Sequence, residues 1–193
     1  VKPINKQKVA VLSGQGTSSL SFGEIWHFFE TELQYPITNI NSRDFDTTDL
    51  SNYDVIILPN GYYKSLLNKT TLNKVKKWTR SGGTLIALGT ALNSFAGKEG
   101  FSLKAKKANE NADEKEEDQK DNLTPFEDRE RKNIENLITG SIFKSSLDNS
   151  HPMAFGYDST YFSLKLSETA YHYLNEGYNV AYFDKDSKNV SGY

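Results

Sequence analysis

The sequence predicts an α/β domain, a three-layer arrangement around a mostly parallel sheet. Three observations carry this expectation. Val9–Leu12, Val55–Leu58 and Thr84–Leu88 are short apolar runs of the kind buried on both faces of a parallel sheet, and Ile37–Ile40 is a further short strand. Segments with apolar residues at helical spacing separate these runs. Strands that alternate with helices imply βαβ units, whose crossovers cover a parallel sheet.

Taken in order, the first strand ends at Ser13-Gly14 and leads into the loop Gly14-Gln15-Gly16-Thr17-Ser18-Ser19. Ser21 and Glu24, three apart, have the spacing of a capping box at a helix start. Ile25, Phe28, Phe29 and Leu33 give that helix an apolar face, and Pro36 marks its end. The third strand follows Asn52-Tyr53-Asp54 and is closed by Pro59-Asn60-Gly61. Leu72, Val75 and Trp78 form the face of a second helix, with Lys74, Lys76 and Lys77 directed to water. Ser81-Gly82-Gly83 stops it. Thr84–Leu88 then reads as a buried strand running through a tight turn at Gly89 into a helix.

The pattern breaks after Phe101. Lys104 to Asn122 contains no large apolar residue, so it is expected to be a mobile, disordered insert at about 104–122 that cannot bury enough surface to offset ordering entropy. Glu127 to Ile138 resumes as a helix with Ile134, Leu137 and Ile138 on one face, ended by Thr139-Gly140. Arg129 and Arg131, among Glu127, Asp128 and Glu130, read as a salted helix surface. The remainder is strand-rich, at Ile142-Phe143, Tyr161–Leu164 and Asn179–Phe183. The whole chain, 1–193, is expected to be a single domain.

Composition bounds the chemistry. A net charge of −2 gives no general attraction to nucleic acid or to an anionic membrane. The absence of cysteine excludes disulfides, thiolate metal sites and thiol nucleophiles. No apolar run approaches the ~18 residues of a membrane span. The chain starts at Val1 without Met, close to a strand, and is expected to be a fragment of a longer protein.

Several motifs invite chemistry. In α/β enzymes with a strand–turn–helix elbow, the sharp bend lifts a nucleophile above the sheet edge. Here that position is Gly89, so no side chain is available. His27-Phe28-Phe29-Glu30 spells H-x-x-E, with His151 far downstream. Zinc needs three ligands converging on one point, and the His27–Glu30 face lies opposite Ile25, Phe28 and Phe29, so it reads as a solvated helix surface. Gly14-x-Gly16-x-x-Ser19 follows a strand and precedes a helix, as a dinucleotide turn does. Its third glycine is replaced by Ser19, and Asp44 or Asp46 matches the expected acid only loosely, so backbone geometry explains the turn as well. Thr90 as a nucleophile needs a base, for which His151 is the candidate. His151-Pro152 otherwise reads as a local turn. The three loops at the strand ends are expected to line one crevice, with Gly14, Gln15, Gly16, Thr17, Ser18, Asn60, Tyr62, Tyr63, Gly89, Thr90 and Asn93 as candidate binding residues.

These residues resemble a known group. Asn52–Pro59 and Ser81–Gly89 resemble class I glutamine amidotransferase-like domains. More narrowly, Leu12–Glu30, Asp128–Arg131, Thr139–Ile142, Leu147–Tyr157 and Val190–Tyr193 are similar to the amidotransferase-like domain at the C-terminal end of large zinc carboxypeptidases from Bacteroidetes. The resemblance covers most of the chain outside the charged insert. It implies a flavodoxin-like sandwich and an exported, periplasmic or secreted parent metallopeptidase whose zinc domain lies outside this chain. It implies no catalytic residue and no metal or cofactor here, because Gly89 stands where amidotransferases carry cysteine. The expected role is binding or scaffolding: of the peptidase domain of the same polypeptide, or of a peptide or glycan. Two rivals are an amide or ester hydrolase using Thr90 and His151, and a carbohydrate-binding module using tyrosines such as Tyr62.

Overall fold

The computed structural model describes residues 6–106, 125, 140–167, 169–185 and 187–192. The predicted helix Glu127 to Ile138, with Arg129 and Arg131, and the insert from 107 to 122 lie outside the described residues. The chain divides into two compact units, Val1–Phe101 and Ser102–Tyr193.

In the first unit, β1 (Val9–Ser13), β2 (Ile37–Asn41), β3 (Val55–Leu58) and β4 (Thr84–Ala87) form a wholly parallel sheet in the order β2-β1-β3-β4. This is the start of the flavodoxin-like order, in which the chain reverses direction across the sheet between β1 and β3. Alternate side chains of each strand face opposite layers. Ala10, Leu12, Ile56 and Leu58 pack with Leu72, Val75 and Trp78 of α2 (Lys69–Arg80). Val9, Val11 and Ile57 face the other way, against Phe22, Ile25 and Trp26 of α1 (Ser19–His27). The result is a helix–sheet–helix sandwich, as expected.

Several local expectations are corrected. Ser18, not Ser21, caps α1, accepting a bond from the Ser21 N–H at 3.4 Å. The apolar face of this segment consists of Phe22, Ile25, Trp26 and Phe29, whereas Phe28 and Leu33 are half exposed. The cause is a π-helical turn at Phe28–Glu32, where the Leu33 N–H reaches back to the Phe28 carbonyl at 3.0 Å and rotates the face. Lys74 does not simply extend into water. Its ammonium donates to the carbonyls of Phe45 and Asp46 at 3.1 and 2.6 Å and so fastens the loop after β2. Among the described residues β4 lies at the edge of its sheet, and Ile86 and Leu88 are partly exposed rather than fully buried. The segment after it is a 3₁₀ helix, Gly89–Ser94.

The second unit is antiparallel. β5 (Ala105–Lys106) pairs with β8 (Ala170–Tyr171), so the first residues assigned to the charged insert belong to a strand. β6 (Ser141–Leu147) pairs with β7 (Thr160–Lys165), β9 (Ala181–Tyr182) and β10 (Asn189–Gly192). The strand-rich reading of this half is therefore met, although the strand expected over Asn179–Phe183 is only two residues long. No described helix is long and apolar enough to cross a membrane.

Candidate functional site

Open α/β sheets bind ligands beyond the carboxyl ends of the strands, where the strand order reverses. Here that place lies between the loops after β1 and β3. The structure brings those loops together and ties them to each other. The Ser18 N–H donates to the Asn60 carbonyl at 2.9 Å, and the Tyr62 N–H donates to the Gly16 carbonyl at 2.7 Å. Thr17 and Gly61 thereby face each other as an isolated antiparallel bridge. The Asn60 N–H donates to the Ser21 hydroxyl at 3.0 Å, which gives Ser21 a fastening role that its sequence position does not disclose.

Such close approach needs glycine. Gly16 has φ +89°, and a side chain on Gly61 would place its Cβ 2.3 Å from the Gly16 carbonyl oxygen. Tyr63 packs beneath this junction. It is fully buried, and its hydroxyl lies 3.0 Å from the Pro59 carbonyl and 3.1 Å from the Thr17 hydroxyl. Burial pushes its phenol above the ordinary value, and the bond to Thr17 opposes that rise. Tyr63 is thus a core residue, which corrects its listing among the candidate binding residues of the crevice. Tyr62, 67% exposed, remains a candidate.

The third loop joins through one side chain. Gly89 has φ +55°, the left-handed conformation in which a side chain is strained. A Cβ there would lie 2.7 Å from Asn60 Oδ1. That oxygen accepts the Thr90 N–H at 2.9 Å and lies 2.6 Å from the Thr90 hydroxyl, which is also 2.9 Å from the Gly61 carbonyl. In an elbow that carries a nucleophile, the N–H of the following residue helps to hold the oxyanion. In this chain the corresponding Thr90 N–H already holds the carboxamide of Asn60. Gln15 and Asn93 are exposed at the margins. The loops 14–19, 59–63 and 89–93 contain no His, Asp, Glu, Lys or Arg. Hydrogen bonding and stacking are the chemistry these loops offer by themselves.

The other motifs resolve locally. Glu30 of the H-x-x-E pattern accepts the indole N–H of Trp26 at 2.7 Å. Among the described residues, no group of three or more His, Asp or Glu side chains is placed to hold a metal ion. In the glycine-rich turn, the Thr17 N–H donates to the Gly14 carbonyl at 3.1 Å, so this donor and that of Ser18 are engaged within the protein. His151 caps a 3₁₀ turn, Pro152–Ala154, its Nδ1 accepting the Met153 N–H at 3.2 Å. Thr90 and His151 belong to different units.

No family model and no curated protein matches this sequence. Among solved structures, a Thermoplasma acidophilum protein provisionally described as one of the subunits of GMP synthase is similar in fold. The likeness has a TM-score of 0.54 and covers 92% of this chain and 74% of that one, at 14% identity. The fold is a flavodoxin-like α/β sandwich with a mostly parallel sheet, shared with that structure. That agrees with the strand order and with the sandwich expected from the sequence. At this level of identity the likeness concerns fold and not chemistry.

Proposed function

We propose that this chain is a catalytically silent accessory module, an amidotransferase-like domain that binds or scaffolds within an exported zinc metallocarboxypeptidase. The observation that supports silence is the occupied elbow. Gly89 presents no nucleophile, and Asn60 fills the space a nucleophile's Cβ would need. The same Asn60 oxygen engages the Thr90 N–H. An acyl-transfer site needs that donor free for charge that develops in the transition state. In this reading zinc belongs to the peptidase domain of the parent protein, and export to the periplasm or exterior follows from that parent.

The hydrolase rival has less to support it. The Thr90 hydroxyl is directed to Asn60 Oδ1 or the Gly61 carbonyl, and the Nδ1 lone pair of His151 is engaged by its own turn. The glycan reading keeps one specific support, the exposed ring of Tyr62 beside polar loops.

The test is an assay of the purified chain against glutamine, simple amides and activated esters. The expected result is no turnover above buffer; turnover abolished by Thr90→Ala would refute silence. Sequencing the locus upstream of Val1 tests the accessory half, which fails if no zinc-peptidase domain is encoded there. Glycan-array binding lost in Tyr62→Ala would move the reading from scaffolding to sugar recognition.

A further inference from the structure

We propose that the closed elbow makes Asn60 a self-modifying residue, converting the Asn60–Gly61 pair through a succinimide to aspartate and isoaspartate. Three independent features meet at this one position. Asn60–Gly61 is the only Asn-Gly pair in the sequence. Gly61 is required there for a steric reason, because any side chain would strike the Gly16 carbonyl. The chain therefore cannot shield the backbone nitrogen after Asn60 with a larger residue.

Second, that nitrogen is not tied up in a hydrogen bond. Gly61 is the non-hydrogen-bonded member of its bridge with Thr17, since the flanking bonds run from Ser18 to Asn60 and from Tyr62 to Gly16. Among the described residues, the Gly61 N–H donates to no protein acceptor. Third, the carbonyl to be attacked is polarised. Asn60 Oδ1 accepts the Thr90 N–H at 2.9 Å, and the Thr90 hydroxyl lies 2.6 Å from the same oxygen and 2.9 Å from the Gly61 carbonyl, so its one proton is shared between the two acceptors. When charge develops on Oδ1 that proton turns to it, and the pair of donors then acts as an oxyanion hole does.

The step balances with water alone. Solvent base takes the Gly61 amide proton, and the nitrogen attacks Asn60 Cγ. A C–N bond forms while the electron pair moves onto Oδ1, facing Thr90. The oxyanion collapses, the Cγ–Nδ2 bond breaks, and the nitrogen leaves as ammonia with a proton from solvent. Water then opens the five-membered imide at either carbonyl. Opening at one carbonyl gives aspartate, whose carboxylate can still accept from Thr90. Opening at the other gives isoaspartate, which adds a methylene to the main chain where the Ser18 and Tyr62 bonds fix the register. Accumulated isoaspartate therefore loosens the junction between the β1 and β3 loops. The inference stands on this geometry and not on the accessory role proposed above.

The experiment incubates the full chain at mildly alkaline pH and follows Asn60 by peptide mapping and by isoaspartate methyltransferase labelling. Thr90→Val removes one of the two donors. The expected result is a rate at Asn60 about three- to tenfold lower in native Thr90→Val, the effect of one hydrogen bond. Thr90→Ser is expected to retain the wild-type rate, and all three chains to react alike when unfolded in urea. Equal native rates with and without the hydroxyl would overturn the proposal, as would slowing that persists in urea. If Thr90→Val does not fold, wild-type chain decides: a native rate at or above the unfolded rate is expected, and one several-fold below it refutes the catalytic role of the elbow.

Discussion

Gly61→Ala tests whether the loops after β1 and β3 are fastened together as strongly as their geometry implies. The added Cβ would lie 2.3 Å from the Gly16 carbonyl oxygen and 2.9 Å from the ring of Tyr63. Such contacts do not occur below 3.0 Å, so the loops must part by at least roughly 0.7 Å. The opposing atom is backbone and cannot rotate away. Parting stretches the two loop-to-loop bonds, now 2.9 and 2.7 Å, beyond useful length. Each contributes about 1 kcal/mol net, and displacing the buried Tyr63 ring costs about 1–2 kcal/mol more. Alanine restricts the unfolded chain and returns about 0.5 kcal/mol. The net expectation is a loss of about 2.5–3.5 kcal/mol, read as a fall of roughly 1 M in the urea midpoint. Gly23→Ala supplies the opposite sign in the same assay. Gly23 lies within α1 with nothing near its missing Cβ, so alanine should add about 0.5–1 kcal/mol of stability. A Gly61→Ala chain within about 0.5 kcal/mol of wild type would show that the junction yields freely and that the crevice is open to ligands.

Gly83→Ala should destabilise by about 2–4 kcal/mol, because its Cβ would lie 2.1 Å from Trp78 Cε2 and the indole must leave its seat. Red-shifted tryptophan emission in the folded variant would report that displacement, and an unchanged spectrum with unchanged stability would refute it. The Asp49 carboxyl is held below its ordinary value by bonds from the Ser51 hydroxyl and N–H. A depressed folded pKa contributes stability that is present above the unfolded value and lost as pH falls through the folded one. An NMR titration should therefore place the Asp49 midpoint below the ordinary 3.8, and Ser51→Ala should raise it. An unchanged midpoint in Ser51→Ala would exclude the hydroxyl as the cause. Calorimetric titration with zinc should show no saturable site; tight binding lost in His27→Ala would reverse the reading of H-x-x-E as a helix surface.

Much of the fold is legible because burial on both faces leaves a direct mark on composition. Val9–Leu12 and Val55–Leu58 are apolar throughout, and Leu72, Val75 and Trp78 repeat at helical spacing. Each expectation rests on neighbours within a few residues. The errors arise where a contact with a distant segment decides the outcome. The capping box at Ser21 and Glu24 is a sound local pattern, but Ser21 is recruited by Asn60, thirty-nine positions away. Tyr63 reads as a loop ring because it follows a turn, whereas the floor under the β1–β3 junction needs a large side chain. Phe28 leaves the apolar face because one π turn shifts the helical phase.

The candidate site divides the same way. That position 89 offers no side chain, and that the chain has no cysteine, is written in the sequence. That the elbow is also filled, and its Thr90 donor engaged, depends on Asn60, which is thirty residues away in the chain. Composition and periodicity fix which residues avoid water, and that suffices for strands, helices and their alternation. Hydrogen bonds between loops depend on where the folded sheet brings their ends. Tertiary structure alone therefore decides that the loops expected to line the crevice are fastened to one another.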